Sequence, residues 1–210
     1  MGPVLCLITD RRMWGQRWED GLVGQVIVAA QAGVHMVQVR ERDLDGGALR
    51  ELVARCVDAA RGTNTRILVN DRLDVALAAG AHGVHLRGDS MPASRVRAVC
   101  PRPFLIGRSI HTADEARLAD VAGLDYLVFG TVFATSSKPG RNPAGVAELA
   151  ACVAATTLPV LAVGGVTLET MPSVTRAGAA GVAAIGLFAS DVALVVQRLQ
   201  DSRVRGDELD

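Results

Sequence analysis

Aromatic side chains are scarce in this chain: four Phe, two Trp and one Tyr amount to 3% of 210 residues. A protein that stacks on single-stranded nucleic acid needs an aromatic platform, so that class is excluded. Charge of one sign is missing too, since 22 Lys and Arg balance 22 Asp and Glu and no basic run stands out. That removes the electrostatic footprint of a duplex binder. Cysteine is limited to Cys6, Cys56, Cys100 and Cys152, widely spaced and without a Cys-x-x-Cys pair, which argues against a zinc knuckle or a dithiol redox motif and for reduced, buried thiols. No apolar run reaches the roughly 18 residues of a membrane span. The opening Val4-Leu-Cys-Leu-Ile-Thr9 has no basic start, long apolar middle or small-residue cleavage site. The expectation is a cytoplasmic protein with neither nucleic acid nor membrane as partner.

What is present is apolar residue, at half of the chain, enough to bury one full core. Eight short apolar runs recur: Val4–Thr9, Val34–Arg40, Arg66–Asn70, Gly83–Leu86, Phe104–Gly107, Tyr126–Gly130, Val160–Val163 and Val182–Ile185. Helical candidates lie between and after them, near Trp18–Ala32, Gly47–Ala60, Leu73–Ala79, Pro92–Val99, Ala113–Ala122, Gly145–Ala155, Leu168–Ala177 and Val192–Gln200. This alternation predicts a parallel sheet covered by helices, and eight units in this length predict an α/β fold, a single-domain (β/α)8 TIM barrel over residues 1–200. Residues 201–210 form a charged C-terminal tail that frays. An open doubly wound sheet is the rival, but Thr9-Asp-Arg-Arg-Met-Trp-Gly15 carries no Gly-x-Gly-x-x-Gly after the first strand. The repeated Ala-Gly pairs at Gly33, Gly80 and Gly178 fit helix ends in the left-handed conformation.

Barrels place their chemistry on the loops after the strands, so the polar residues there are the candidates. Period-two alternation sets Gln38, Arg40 and Arg42 on one face, and two guanidiniums at a barrel mouth call for an anionic ligand. The alternative is a structural network in which Arg40 and Arg42 pair with Asp71, Asp89 or Glu41. Asn70 and Asp71 either meet a ligand or cap the next helix. His35, His82 and His85 lack any metal-binding spacing and read as structural. Gly107, Ser109 and His111 share parity past the fifth run, which makes His111 the acid/base candidate unless it is only the turn residue before a helix starting at Thr112 or Asp114. The loop from Ala134 to Ala144, with Thr135 and Lys138, is either a lid or plain surface. Gly164 and Gly165 after the seventh run, with Ile185 and Gly186 after the eighth, offer backbone amides suited to a phosphate.

Taken in order, Ile8-Thr-Asp10, Gln38-Val-Arg-Glu-Arg42, Asn70-Asp71, Ala81-His-Gly-Val-His85, Ile106-Gly-Arg-Ser-Ile-His111, Asp125-Tyr-Leu-Val-Phe-Gly130, Thr135-Ser-Ser-Lys138 and Ala162-Val-Gly-Gly165 resemble the thiamin phosphate synthase superfamily. Each string alone is weak; the ordered set is specific. The resemblance implies a (β/α)8 barrel, a homodimer, and a phosphorylated thiazole as small-molecule partner.

Its two branches differ after the second and fourth strands. The synthase branch joins a pyrimidine methyl pyrophosphate to a thiazole phosphate with Mg²⁺, and carries Gln-x-Arg-x-Lys, an Asn-Asp and a Gln-x-Asp. Here Arg42 stands in place of the lysine and Ser90 in place of the second metal carboxylate, leaving Asp71. Both departures resemble the thiazole tautomerase branch, which needs no cofactor. The reading taken forward is therefore a metal-independent thiazole tautomerase. In it His111 moves the proton, Gln38 and Arg40 hold the ring or carboxylate, Gly165 and Gly186 bind the phosphate, and Thr135 and Lys138 close over it. A Mg²⁺-dependent synthase, with Asp71 on the metal, is the alternative. A non-catalytic barrel that binds a thiamin-related phosphate is the third reading.

Overall fold

The structure, a computed structural model, describes residues 2–119, 123–135, 140 and 142–204. Eight parallel strands close in sequence order: β1 (Val4–Ile8), β2 (Met36–Val39), β3 (Arg66–Asn70), β4 (Gly83–Leu86), β5 (Leu105–Ile110), β6 (Tyr126–Gly130), β7 (Val160–Val163) and β8 (Gly181–Ala184). Pairing of Val4 with Gly181 shuts the barrel. Helices α1 (Trp18–Gln31), α2 (Gly46–Ala59), α3 (Leu73–Ala78), α4 (Ala93–Val99), α5 (Ala113–Arg117), α6 (Gly145–Ala154), α7 (Met171–Arg176) and α8 (Val192–Val204) follow the strands in turn. The chain is thus the single-domain barrel that the alternation predicts.

Strands buried on both faces read as continuous apolar runs because each parity has its own core. Cys6, Ile8, Met36, Leu68, Tyr126, Val128, Leu161 and Ala183 fill the barrel. The opposite parity, including Leu7, Val37, Ile67, Val84, Ile106, Leu127 and Val182, packs under the helices. Each fully buried Leu, Ile or Val contributes about 1.5–3 kcal/mol. All four cysteines are free and buried, and burial pushes the Cys6 and Cys56 thiols up to about 12, as inert core thiols require.

Some boundaries differ from the sequence reading. β5 does not stop at Gly107: a Cβ there would lie 2.1 Å from Cζ of Tyr126, so this glycine makes room for a ring inside the barrel and the strand runs on through Ser109. A 3-10 segment, Arg11–Arg17, precedes α1 and was not anticipated. α7 begins at Met171 instead of Leu168. α8 continues to Val204, into the expected tail, and residues 205–210 lie outside the described residues, as do 120–122 of the expected fifth helix. Gly33, Gly80 and Gly178 have φ of 89, 69 and 83°, the left-handed helix ends expected of them. Among the described residues no helix is long and apolar enough to cross a membrane.

Candidate active site

Inward parity, once set by the barrel interior, carries past the strand ends. Ile8 leads to Asp10, Gln38 to Arg40, Leu68 to Asn70, His85 to Arg87 and Ser109 to His111, and all of these residues except Leu68 line one cavity of ≈ 1640 Å³ at the C-terminal mouth. Arg42 and Thr135 line it too. So do Gly164, Gly165, Ile185 and Gly186 from β7 and β8. Lys138 lies outside the described residues, with 136–139 and 141 of its loop.

The β2 wall is the cationic one. Thr9, fully buried, donates from Oγ1 to Glu41 Oε1 at 2.5 Å and accepts the Arg40 N–H at 3.0 Å, while Glu41 Oε2 accepts the Arg11 N–H. This lattice fixes the backbone that carries Arg40. Glu41 is therefore spent on Thr9 and Arg11, and Asp71 and Asp89 pair with Arg87. Neither Arg40 nor Arg42 has an ion pair among the described residues, although Glu41 and Asp10 lie close enough to act on Arg40 through space. Burial, and then the neighbouring Arg42, lower the Arg40 guanidinium from its ordinary value, against a smaller opposing pull from Glu41 and Asp10. A half-buried cation beside another cation is stabilised by an anion between them.

Two histidines follow, from β4 and from the end of β5. His85, 2% exposed, was read as structural, yet its Nε2 is 2.8 Å from Ser109 Oγ and its Nδ1 3.2 Å from the Tyr126 hydroxyl. Burial first, then Arg40, push it down to about 3, so the ring is neutral. A neutral ring donates from one nitrogen and accepts at the other, so His85 bridges the Tyr126 phenol and the Ser109 hydroxyl and fixes where the latter stands. The cue was parity with Asn70, but the Asn70–His85 register that reveals it exists only in the assembled sheet. His35 and His82 are structural as read, accepting backbone N–H groups of Leu5 and Ile67.

His111 sits one residue beyond β5, and Thr112 does cap α5 by accepting the Glu115 N–H. It is more than a turn residue, because Nδ1 is 2.5 Å from the Gly130 carbonyl oxygen and its backbone N–H donates to Glu115 Oε2. A carbonyl only accepts, so Nδ1 carries the proton and Nε2 is the nitrogen left for a ligand.

The glycine rim is shaped by close approach. At Gly165, φ 64°, a Cβ would lie 2.3 Å from the Ala134 carbonyl oxygen; at Gly186 it would meet nothing within 4 Å. Gly186 opens a 3-10 turn, Gly186–Phe188, whose Phe188 N–H bonds to the Ile185 carbonyl. Gly165→Ala is expected to lose about 1–3 kcal/mol of stability and Gly186→Ala less than about 0.5, by urea melts. Equal losses would show that the Gly165 contact relaxes freely.

Asp71 departs from the expected constellation. It stands at φ 64° after β3 and faces a smaller cleft of ≈ 170 Å³ with Arg72 and Arg87. Neither it nor Asn70 caps α3, whose N-cap is Arg72. Ser90 Oγ donates to Asp71 Oδ1, and Arg87 Nη1 is 3.6 Å from Oδ2. A divalent cation prefers free carboxylate oxygens. Asp71 has its own engaged by Ser90 and Arg87, and Ser90 stands where a second carboxylate would be. This donor set does not fit the Mg²⁺ of the synthase alternative.

A closed parallel barrel whose C-terminal mouth gathers Arg40, which has no ion pair among the described residues, two histidines and a glycine rim has the architecture of a (β/α)8 enzyme. Residues 5–188 match the family described as Thiamine monophosphate synthase, and the chain belongs to it, among the enzymes of thiamin biosynthesis. It is 38% identical over 185 residues to the thiamine-phosphate synthase of Roseiflexus sp. (strain RS-1), covering 88% of this chain and 77% of that protein. To the putative thiamine-phosphate synthase of Geobacter sulfurreducens it is 41% identical over 188 residues, covering 89% and 87%. The solved thiamine phosphate pyrophosphorylase from Pyrococcus furiosus superposes with a TM-score of 0.80 at 30% identity, covering 94% of this chain and 93% of that one. These names bear on the synthase alternative; none speaks for the tautomerase reading taken from the sequence.

Proposed function

We propose that this chain joins a pyrimidine methyl pyrophosphate to a thiazole phosphate, giving thiamin phosphate and pyrophosphate. The observation that carries this reading is one open cavity, ≈ 1640 Å³, with Arg40, which has no ion pair among the described residues, on one wall and the glycine rim on another. A single small ligand needs about 300–1,000 Å³, so there is room for two. The relatives' names support the same reading.

The chemistry asks for stabilised leaving charge and aligned partners. The bond between the pyrimidine methylene and the bridging oxygen breaks, its electron pair departs with pyrophosphate, and the thiazole nitrogen forms the new C–N bond. Arg40 offers countercharge where negative charge develops. Gln38, 3% exposed, and the Ser109 hydroxyl oriented through His85 hold the pyrimidine edge. Amides of the glycine rim take the thiazole phosphate. Apposition of the two substrates supplies much of the rate.

A second reading keeps the proton shift that aromatises a carboxylated dihydrothiazole phosphate, favoured by the single free nitrogen of His111 and by the engaged Asp71. One experiment decides: purified chain receives the two coupling substrates, and separately the dihydrothiazole, each with Mg²⁺ and with chelator. Thiamin phosphate and pyrophosphate released in equal amounts, without faster aromatisation, is the expected result. Aromatisation that is accelerated in the wild type and lost in His111→Ala, with no pyrophosphate, would transfer the assignment to the isomerase. Binding without either turnover would leave a non-catalytic barrel.

A further inference from the structure

Arg87 leaves β4 at the barrel mouth and lines both the main cavity and the cleft beside Asp71. Its Nη2 is 2.5 Å from Asp89 Oδ2 and its Nη1 3.6 Å from Asp71 Oδ2. A tethered cation thus already stands between the Asp71 and Asp89 carboxylates. Ser90, whose hydroxyl donates to Asp71, completes the arrangement by accepting the Arg87 backbone N–H at 3.0 Å.

That backbone bond matters, because it ties the turn after β4 to Asp71 without help from the guanidinium. The side chain is therefore not required as a brace. It is 48% exposed, and its partner Asp89 is 70% exposed. Ion pairs this open to water contribute little, so the guanidinium can exchange Asp89 for a better acceptor. Diphosphate is such an acceptor, since its paired oxygens match the planar fork of arginine.

We propose that Arg87 replaces a divalent cation as countercharge for the diphosphate end of the substrate, acting with Arg40 from β2 across the same cavity. The proposal deepens the coupling reading and rests on it. In this chain the diphosphate is gripped by two arginines, and Asp71 holds Ser90 and Arg87 in place instead of a metal.

The test is calorimetric titration of the full chain with inorganic pyrophosphate, in chelator and then in Mg²⁺. Wild type is expected to bind in chelator, with Mg²⁺ changing affinity by less than about threefold; Arg87→Gln is expected to weaken binding at least about tenfold, and Arg87→Lys less. Thermal melts of both variants should match wild type, because the Ser90 tie is untouched. In Arg87→Gln/Ser90→Asp, pyrophosphate binding should return only with Mg²⁺, an outcome a mere brace would not produce. Wild-type binding that needs Mg²⁺, no binding in either condition, or full affinity in Arg87→Gln would each overturn the proposal. Its failure is separable from that of the coupling reading: thiamin phosphate formed by a chain that binds pyrophosphate only through Mg²⁺ keeps the reaction and removes the role of Arg87. Chelator-resistant, Arg87-dependent binding without any coupled product does the reverse.

Discussion

Arg40→Ala is expected to lower kcat/KM for the anionic substrate by about 10²–10³, the range seen when one preorganised donor to developing charge is removed. The guanidinium is half-buried, its backbone is fixed through Thr9 and Glu41, and among the described residues it has no ion-pair partner. Its removal should leave the fold intact and raise stability slightly, since a desolvated cation next to Arg42 is lost. Arg40→Lys keeps the charge but not the paired donors, and should recover only part of the rate. Steady-state kinetics beside urea melts check both halves. Unchanged kcat/KM, or a large loss of stability, would show that Arg40 serves the scaffold.

Acid should destabilise the protein in a defined window, and His85 should dominate it. Buried in the barrel, this ring is pushed down to about 3, whereas in the unfolded chain it titrates at its ordinary 6.5. Between those values the unfolded state binds the extra proton, so stability rises with pH across the window. It is complete above 6.5 and is lost as pH falls toward 3, at up to about 1.4 kcal/mol per pH unit. His35 and His82 are shifted the same way, mainly by burial, and their Nδ1 atoms accept backbone N–H groups that a protonated ring could not hold. Their loss begins in the same direction. Urea midpoints measured from pH 7.5 to 4 should fall steadily in wild type and fall less in His85→Gln. Equal slopes in the two proteins would mean that His85 does not carry the acid sensitivity.

The site was partly legible. Gln38, Arg40, Asn70, Ser109 and His111 are polar residues at or just past the ends of apolar runs, and all line the cavity. Gly164, Gly165, Ile185 and Gly186 line it as well. Asp71 was chosen by the same logic and turned into a neighbouring cleft, because its left-handed backbone aims the carboxylate at Ser90 and Arg87. His85 reads as structural in the sequence, since nothing in the spacing of a lone histidine distinguishes a buried ring beside Ser109 from one accepting a backbone N–H.

Glycine shows where local reading stops. Gly107 looked like a strand end, yet the absent side chain is the space that Tyr126 occupies, and the strand continues to Ile110. The clash lies between residues 19 apart in sequence and is invisible until β5 and β6 pair at Gly107 and Tyr126.

The amino-acid order alone determined the count of βα units, the parallel sheet and the parity of each strand, because apolar burial and period-two alternation act over a few neighbouring residues. Tertiary structure decided which strand ends face each other and which charges find partners. Among the described residues Arg40 has no ion pair while Arg87 takes Asp71 and Asp89, and that outcome depends on strand register around a closed barrel, a relation between segments that no local pattern encodes.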